Sequence, residues 1–245
     1  ANNRFTILGD ADPAIVTQGL RMDSYFSANS LDFPALGSAE FNGSSDYITM
    51  GSKHVANDLG ITGAFTFGAW AYVLNAGSYK SIVTMWDNNG SRIFWFGFDT
   101  SEQFHYNISL TDGDKSRNIK SIPIEEWHYV NLTYDGANLK LYLNGSNVDT
   151  VGATGTVDGR GSALTENLLI GAQNNGATAF YNGNLANVAI WNRALNSDEI
   201  NSIMWKSYSE LDAVQKNGLQ AWYALDDITG TTVPDSTGTN NGTAN

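Results

Sequence analysis

The segment Trp127-His128-Tyr129-Val130-Asn131-Leu132-Thr133-Tyr134, followed by Asp135-Gly136, decides the fold. It is rich in β-branched and aromatic residues and ends on a dipeptide that turns tightly, because glycine accepts the positive φ such turns need. Leu139-Lys140-Leu141-Tyr142-Leu143 then returns, with its leucines on one face, and Asn144-Gly145 turns the chain again. This is an antiparallel hairpin with a third strand to follow.

Working outward, the same period-2 pattern recurs. In Phe65-Thr66-Phe67-Gly68-Ala69-Trp70-Ala71-Tyr72-Val73, Phe65, Phe67, Ala69, Ala71 and Val73 share one face, and Trp70 and Tyr72 lie on the other. Ile93 to Phe98 is apolar on both faces, as a strand covered on both sides would be. Phe104 to Leu110 alternates, Leu168 to Gly171 starts another strand, and the stretch from Phe180 to Trp191 crosses a sheet again. Leu219 to Leu225 reads as a closing strand, and the Gly- and Thr-rich end from Gly230 to Asn245 as loop. One short helix is expected after Asn196 or Ser197: Asp198 and Glu199 suit its positive end, and Ile200, Ile203 and Met204 form its apolar stripe. Short strands separated by turn signals predict an all-β, two-sheet antiparallel sandwich.

Several stretches together resemble laminin-G-like jelly rolls of the concanavalin A type, a group that includes pentraxin-like domains. Phe65-Thr66-Phe67-Gly68-Ala69-Trp70 is similar to that family's aromatic strand. Glu126 to Val130, Tyr134-Asp135-Gly136 and Leu141 to Gly145 resemble its hairpin. Ile170-Gly171, Phe180 to Gly183 and Val188 to Leu195 resemble its following segment. Ala39 to Ile48 looks like its entry strand, and Gly218 through Asp235-Ser236 to Thr243 like its closing motif. The resemblance covers residues 36–245 and implies a jelly-roll sandwich there. Residues 1–35 do not match, and are expected to be an N-terminal extension, an extra edge strand or a docking arm.

The chain has 245 residues, no cysteine and a formal net charge of −12, with 13 Lys and Arg in all. Its pI is about 4.4. Such a chain repels phosphate backbones, which argues against nucleic-acid partners. Without cysteine there are no disulfides or thiolate metal sites. No apolar run reaches the roughly 18 residues of a membrane helix, so no membrane insertion is expected. The start, Ala1-Asn2-Asn3, fits a chain that has lost its initiator Met or a mature chain cut after a small residue.

The fold hosts lectins, adhesion domains, coat proteins and glycanases, so the site must decide function. Glycoside hydrolysis needs two facing carboxylates. Glucanases of this fold carry them on a Glu-x-Asp-x-Glu strand that this chain lacks, and Glu125-Glu126 would point opposite ways. No nucleophile elbow is present either. A non-enzymatic protein is expected.

Two kinds of binding site suggest themselves. The resemblance implies calcium at the rim, held by Asn42, Asp46 and Asn187, since oxygen ligands suit a hard cation. Asn187, preceded by Ala186, stands where the family carries an acidic residue, which weakens that site. The competing reading is that Asp46 caps a turn through its own backbone. Aromatic platforms for sugar rings are the second kind: Trp86 with Asn88 at a strand end, and Trp95 and Tyr106 on a sheet face. The first functional expectation is a structural or adhesive component of a larger assembly, such as a virus or phage particle (head decoration or fibre). Its partner would be a protein surface reached through residues 1–35. The alternative is a secreted or cell-surface glycan-binding module. Either would act outside the cell or on a virion surface, and homo-oligomers would strengthen either through avidity.

Overall fold

The computed structural model describes residues 3–5, 21–22, 24–26, 37–52, 58–75, 77–86, 92–157, 167–174 and 176–245. Two sheets pack face to face. The first runs in the order β10 (Gly113–Ser121), β9 (Gln103–Leu110), β8 (Arg92–Phe98), β7 (Lys80–Trp86), β14 (Asn167–Ile170), β5 (Ile48–Ser52), β18 (Gly242–Ala244), β17 (Thr232–Val233). The second runs β13 (Ser146–Gly152), β12 (Asn138–Leu143), β11 (Trp127–Tyr134), β6 (Phe65–Val73), β15 (Asn182–Trp191), β4 (Ala39–Asn42), β2 (Arg21–Met22). β16 (Leu219–Tyr223) also pairs with β15, beyond β4, and all these pairings are antiparallel. β1 (Asn3–Phe5) and β3 (Ser24–Phe26) form a separate ladder of their own.

Alternation explains the core. Phe65, Phe67, Ala69, Ala71 and Val73 face the first sheet, where they meet Phe94, Phe96 and Phe98. Phe67 and Phe94 touch across the gap with ring centroids 4.5 Å apart. Trp70 faces the other way, into a second apolar cluster with Tyr129, Trp191 and Trp222. That cluster is roofed by α1 (Ser197–Ile203), through Ile200 and Ile203. The central strands of the second sheet, β11, β6 and β15, are thus buried on both faces, which their near-continuous apolar sequences require.

Asn196 caps α1 as its sequence suggests. Its side chain accepts from the amides of Asp198 and Glu199, and Glu199 reaches back to the Asn196 amide. Such a box is worth about 1 kcal/mol. The structure adds a single 3-10 turn at Tyr208–Glu210 and a second short helix, α2 (Ala213–Lys216), where one helix was expected. Asp212 caps α2 in the same way.

The C-terminal stretch departs from the expected loop. β17 and β18 complete the first sheet, with Thr243 opposite Thr49 of β5. Asp235 holds this return in place. One carboxylate oxygen accepts from the Trp222 and Thr237 amides, the other from the Thr239 and Asn240 amides and the Thr237 hydroxyl. The Gly- and Thr-rich composition hid strands whose register is set by a buried carboxylate rather than by apolar alternation.

Candidate functional site

On β9, Phe104, Tyr106, Ile108 and Leu110 point into the core. His105, Asn107 and Ser109 therefore point outward. Register sets their neighbours. Trp95 of β8 lies opposite Asn107, and Gly97 opposite His105. On the other side, β10 brings Asp114 opposite Ser109, Ser116 opposite Asn107 and Asn118 opposite His105. The result is an outer face that is polar and exposed along β10, half-buried along β9 and floored by Trp95.

Three rings meet there. Trp95 and His105 contact edge to face with centroids 4.9 Å apart. Tyr79, just ahead of β7, stands T-shaped to both, 5.7 Å from Trp95 and 6.0 Å from His105. Tyr79 is 47% exposed, one of few large hydrophobic side chains so open among the described residues. The Trp95 indole is fixed by donating to the Ser81 hydroxyl at 2.8 Å. β7 and β8 also approach closely here: a methyl group added at Gly97 would lie 1.9 Å from the Lys80 carbonyl oxygen.

Hydrogen bonding on this face is incomplete. His105 uses Nε2 with the Ser116 hydroxyl at 3.2 Å. Its Nδ1, the Asn107 Oδ1 and the Ser109 hydroxyl are buried without partners. Buried polar atoms usually find partners, so three on alternate residues of one strand is an unusual concentration. Asp99 borders the site. It accepts from the Ser101 and Gln103 amides and, at 2.6 Å, from the Asn118 side chain. Burial holds the His105 imidazole below its ordinary pKa, against the weaker pull of Asp99, and so favours the neutral ring.

The other expected site residues fall elsewhere. Tyr106 lies one residue from His105, and alternation sends it into the core at 1% exposure, where burial pushes its phenol up to about 12. Tyr106 therefore does not accompany Trp95 on the outer face, and that expectation is corrected. Trp86 is half-buried at the end of β7 remote from Tyr79. Asn88 lies outside the described residues.

Of the expected calcium ligands, Asn42 and Asp46 lie together and Asn187 lies apart. Asp46 is buried and accepts from the Asn42 amide at 3.0 Å, the Asn42 side chain at 2.8 Å and the Ser45 hydroxyl at 3.2 Å. Asn42 in turn accepts from the Ser44, Ser45 and Asp46 amides. The loop closes on itself, as the turn-capping reading of Asp46 expects. Register sets Asn182, not Asn187, opposite Asn42. Asn187 is five residues further along β15, about 16 Å away by strand rise. It sits at positive φ, 47°, where the ladder is irregular between Ala186 and Ala189. Among the described residues, no three His, Asp or Glu side chains gather as a metal site.

Sequence reasoning missed Tyr79, His105 and Asn107. The signal for the last two was present: once Phe104, Tyr106 and Ile108 are assigned inward, the intervening residues must face out. Tyr79 carried no pattern, because it precedes its strand.

Solved structures with this architecture include a Bacteroides ovatus protein described as carbohydrate-binding. It is 18% identical, with TM-score 0.64, covering 91% of this chain and 64% of that one. The chain thus spans about two thirds of that protein's length. Another is the CBM40 module of a Ruminococcus gnavus sialidase with bound α2,3-sialyllactose: 13% identity, TM-score 0.55, covering 68% and 96%. A third is the binding domain of Paraclostridial Mosquitocidal Protein 1: 15% identity, TM-score 0.53, covering 83% and 47%. No curated protein sequence matches the chain. The family model of the concanavalin A-like lectin/glucanases superfamily matches residues 42–201, and the chain belongs to that family.

Proposed function

We propose that this domain is a non-catalytic glycan-binding module acting on an extracellular glycan, and that the sugar lies on the outer face around Tyr79, Trp95 and His105. The observation that carries this is the solvent-open Tyr79 ring, packed against Trp95 and His105 and beside the exposed polar row of β10. A sugar offers apolar C–H faces to lie against the Tyr79 ring and hydroxyls to pair with exposed side chains such as Ser116 and Asn118. The similarity to the Bacteroides ovatus protein and the CBM40 module agrees with this reading.

The carboxylates argue against hydrolysis. Asp114 stands four residues from Asn118 on β10, so it is about 13 Å by strand rise from the end of the face where Asp99 binds Asn118. Glycosidases need roughly 5 to 10 Å between their carboxyl groups. Both oxygens of Asp99 are also occupied by its donors. The assembly reading drew in part on residues 1–35 as a docking arm; of the described strands in that stretch, β2 pairs with β4 and extends the second sheet, and β1 pairs with β3.

A glycan-array screen of the wild-type protein beside Tyr79→Ala tests the proposal. Binding by the wild type that Tyr79→Ala weakens at least tenfold supports it. No binding by the folded wild type, or binding that Tyr79→Ala leaves unchanged, contradicts it.

A further inference from the structure

We infer that Lys80 is a positioning residue for the candidate glycan site, its buried head group fixing the peptide that carries Tyr79, an inference that rests on the glycan-binding reading above.

Lys80 is 0% exposed, while its neighbour Tyr79 is 47% exposed. A lysine is seldom buried completely, because its head group gives up water and needs partners in return. Burial lowers the Lys80 pKa, against the weaker upward pull of Glu102. Among the described residues no carboxylate forms an ion pair with it. Its side chain makes one hydrogen bond, from Nζ to the Ser78 carbonyl at 3.0 Å.

That bond spans Tyr79. The peptide after Tyr79 enters β7, where Lys80 lies opposite Phe98. The Lys80 carbonyl oxygen there lies only 1.9 Å from where a methyl group at Gly97 would sit, so this end of the strand has little freedom. The peptide before Tyr79 is held by the Lys80 side chain. Among the described residues from 75 to 79 no other hydrogen bond forms; the flanking backbone bonds are those of Leu74 to Asn182 and Ser81 to Ala179. Asn75, Gly77 and Ser78 are exposed. Without the Lys80 head group, Tyr79 would hang from an untethered loop. With it, an exposed ring keeps its place at 85° to Trp95 and 75° to His105. A ring held before the ligand arrives spares the ligand its ordering cost.

The test uses Lys80→Met, which keeps an unbranched stem but removes the donor, with Tyr79→Ala and the double variant. Amide relaxation at Tyr79 and NOEs between its ring and the Trp95 indole are read without ligand. Affinity is read by titration calorimetry with whichever of gluco-, galacto-, manno- and xylo-oligosaccharides and sialyllactose binds the wild type most tightly. The wild-type Tyr79 amide should have an order parameter near about 0.85, falling towards about 0.6 in Lys80→Met with weaker ring NOEs. Lys80→Met should lower affinity about fivefold where Tyr79 is intact and not at all beside Tyr79→Ala, because it acts through that ring. Three results would overturn the inference: a wild-type order parameter already below about 0.6, no change in dynamics or NOEs in folded Lys80→Met, or an equal affinity loss in both backgrounds. The first needs no variant, so it decides even where Lys80→Met does not fold. Failure of every probe to bind the folded wild type would overturn the glycan-binding reading instead, while the Tyr79 dynamics still decide what Lys80 holds.

Discussion

The Trp95 indole and the His105 imidazole stand edge to face at 87°, on neighbouring strands of the first sheet. Each is also held from a second direction, Trp95 by the Ser81 hydroxyl and His105 by the Ser116 hydroxyl. A floor fixed in this way costs a ligand little ordering, and that is where preorganised binding gains its affinity. Tyr79 is the member open to solvent. It completes the ring cluster from outside the strands.

Because Tyr79 is exposed and Trp95 is not, their alanine variants should separate. Tyr79→Ala should lower glycan affinity about tenfold, equivalent to about 1.4 kcal/mol, and shift Tm by no more than about 2 °C. Trp95→Ala should abolish binding and also destabilise the fold by about 3 kcal/mol, the usual cost of deleting a buried aromatic. Titration calorimetry with thermal unfolding of both variants checks the split.

Acid should weaken the fold through its histidines. Burial holds both His105 and His128 below the ordinary imidazole value. The His128 Nε2–H donates to the Pro123 carbonyl at 3.1 Å, which pulls the value back up without overcoming burial. As pH falls through about 6.5, the unfolded chain takes up protons that these folded rings still refuse, so stability present above that pH is lost. The loss levels off once the folded rings titrate. Ring-proton NMR should give both folded pKa values below about 6.5, and a value above it for either ring would contradict the account.

Asp235 should matter more for stability than any surface carboxylate. Removing it leaves four amides and a hydroxyl without their acceptor, at the join between β16 and the C-terminal strands. Asp235→Ala should cost roughly 3 kcal/mol, or roughly 6 to 12 °C in Tm for a chain of this length. Thermal unfolding measures it directly.

Asp46 should behave as a turn residue. Its partners are Asn42 and Ser45 of its own loop, and Asn187 is remote. Asp46→Ala should lower Tm by the same amount in calcium and in chelator. A loss confined to the calcium buffer would instead make it a ligand.

The strands whose apolar residues alternate were readable from the sequence. β11 and β6 lie where Trp127 to Tyr134 and Phe65 to Val73 predicted them, and of the two expected caps, Asn196 and Ser197, it is Asn196 that caps α1. β17 and β18 were not readable, because Asp235 and backbone pairing hold them rather than an apolar stripe. Trp95 was expected on a sheet face, and it lies on the outer face of β8. Tyr106 was misread because an aromatic residue attracts attention whichever way it points, and only the strand's phase separates it from His105. Asn42 and Asp46 were expected as calcium ligands with a turn as the competing reading; they lie together in one self-bonded loop, but local sequence does not reveal that Asn187 lies five residues away along β15.

The most direct test is an amide and side-chain NMR titration with the strongest-binding sugar found on the array. The account predicts that the largest shifts fall on the Trp95 indole N–H, the His105 ring and the Asn107 side-chain amide, with Tyr79 ring protons moving alongside. Shifts concentrated instead on the loop at Asn42 to Asp46, or on the exposed Trp205 beside α1, would contradict it.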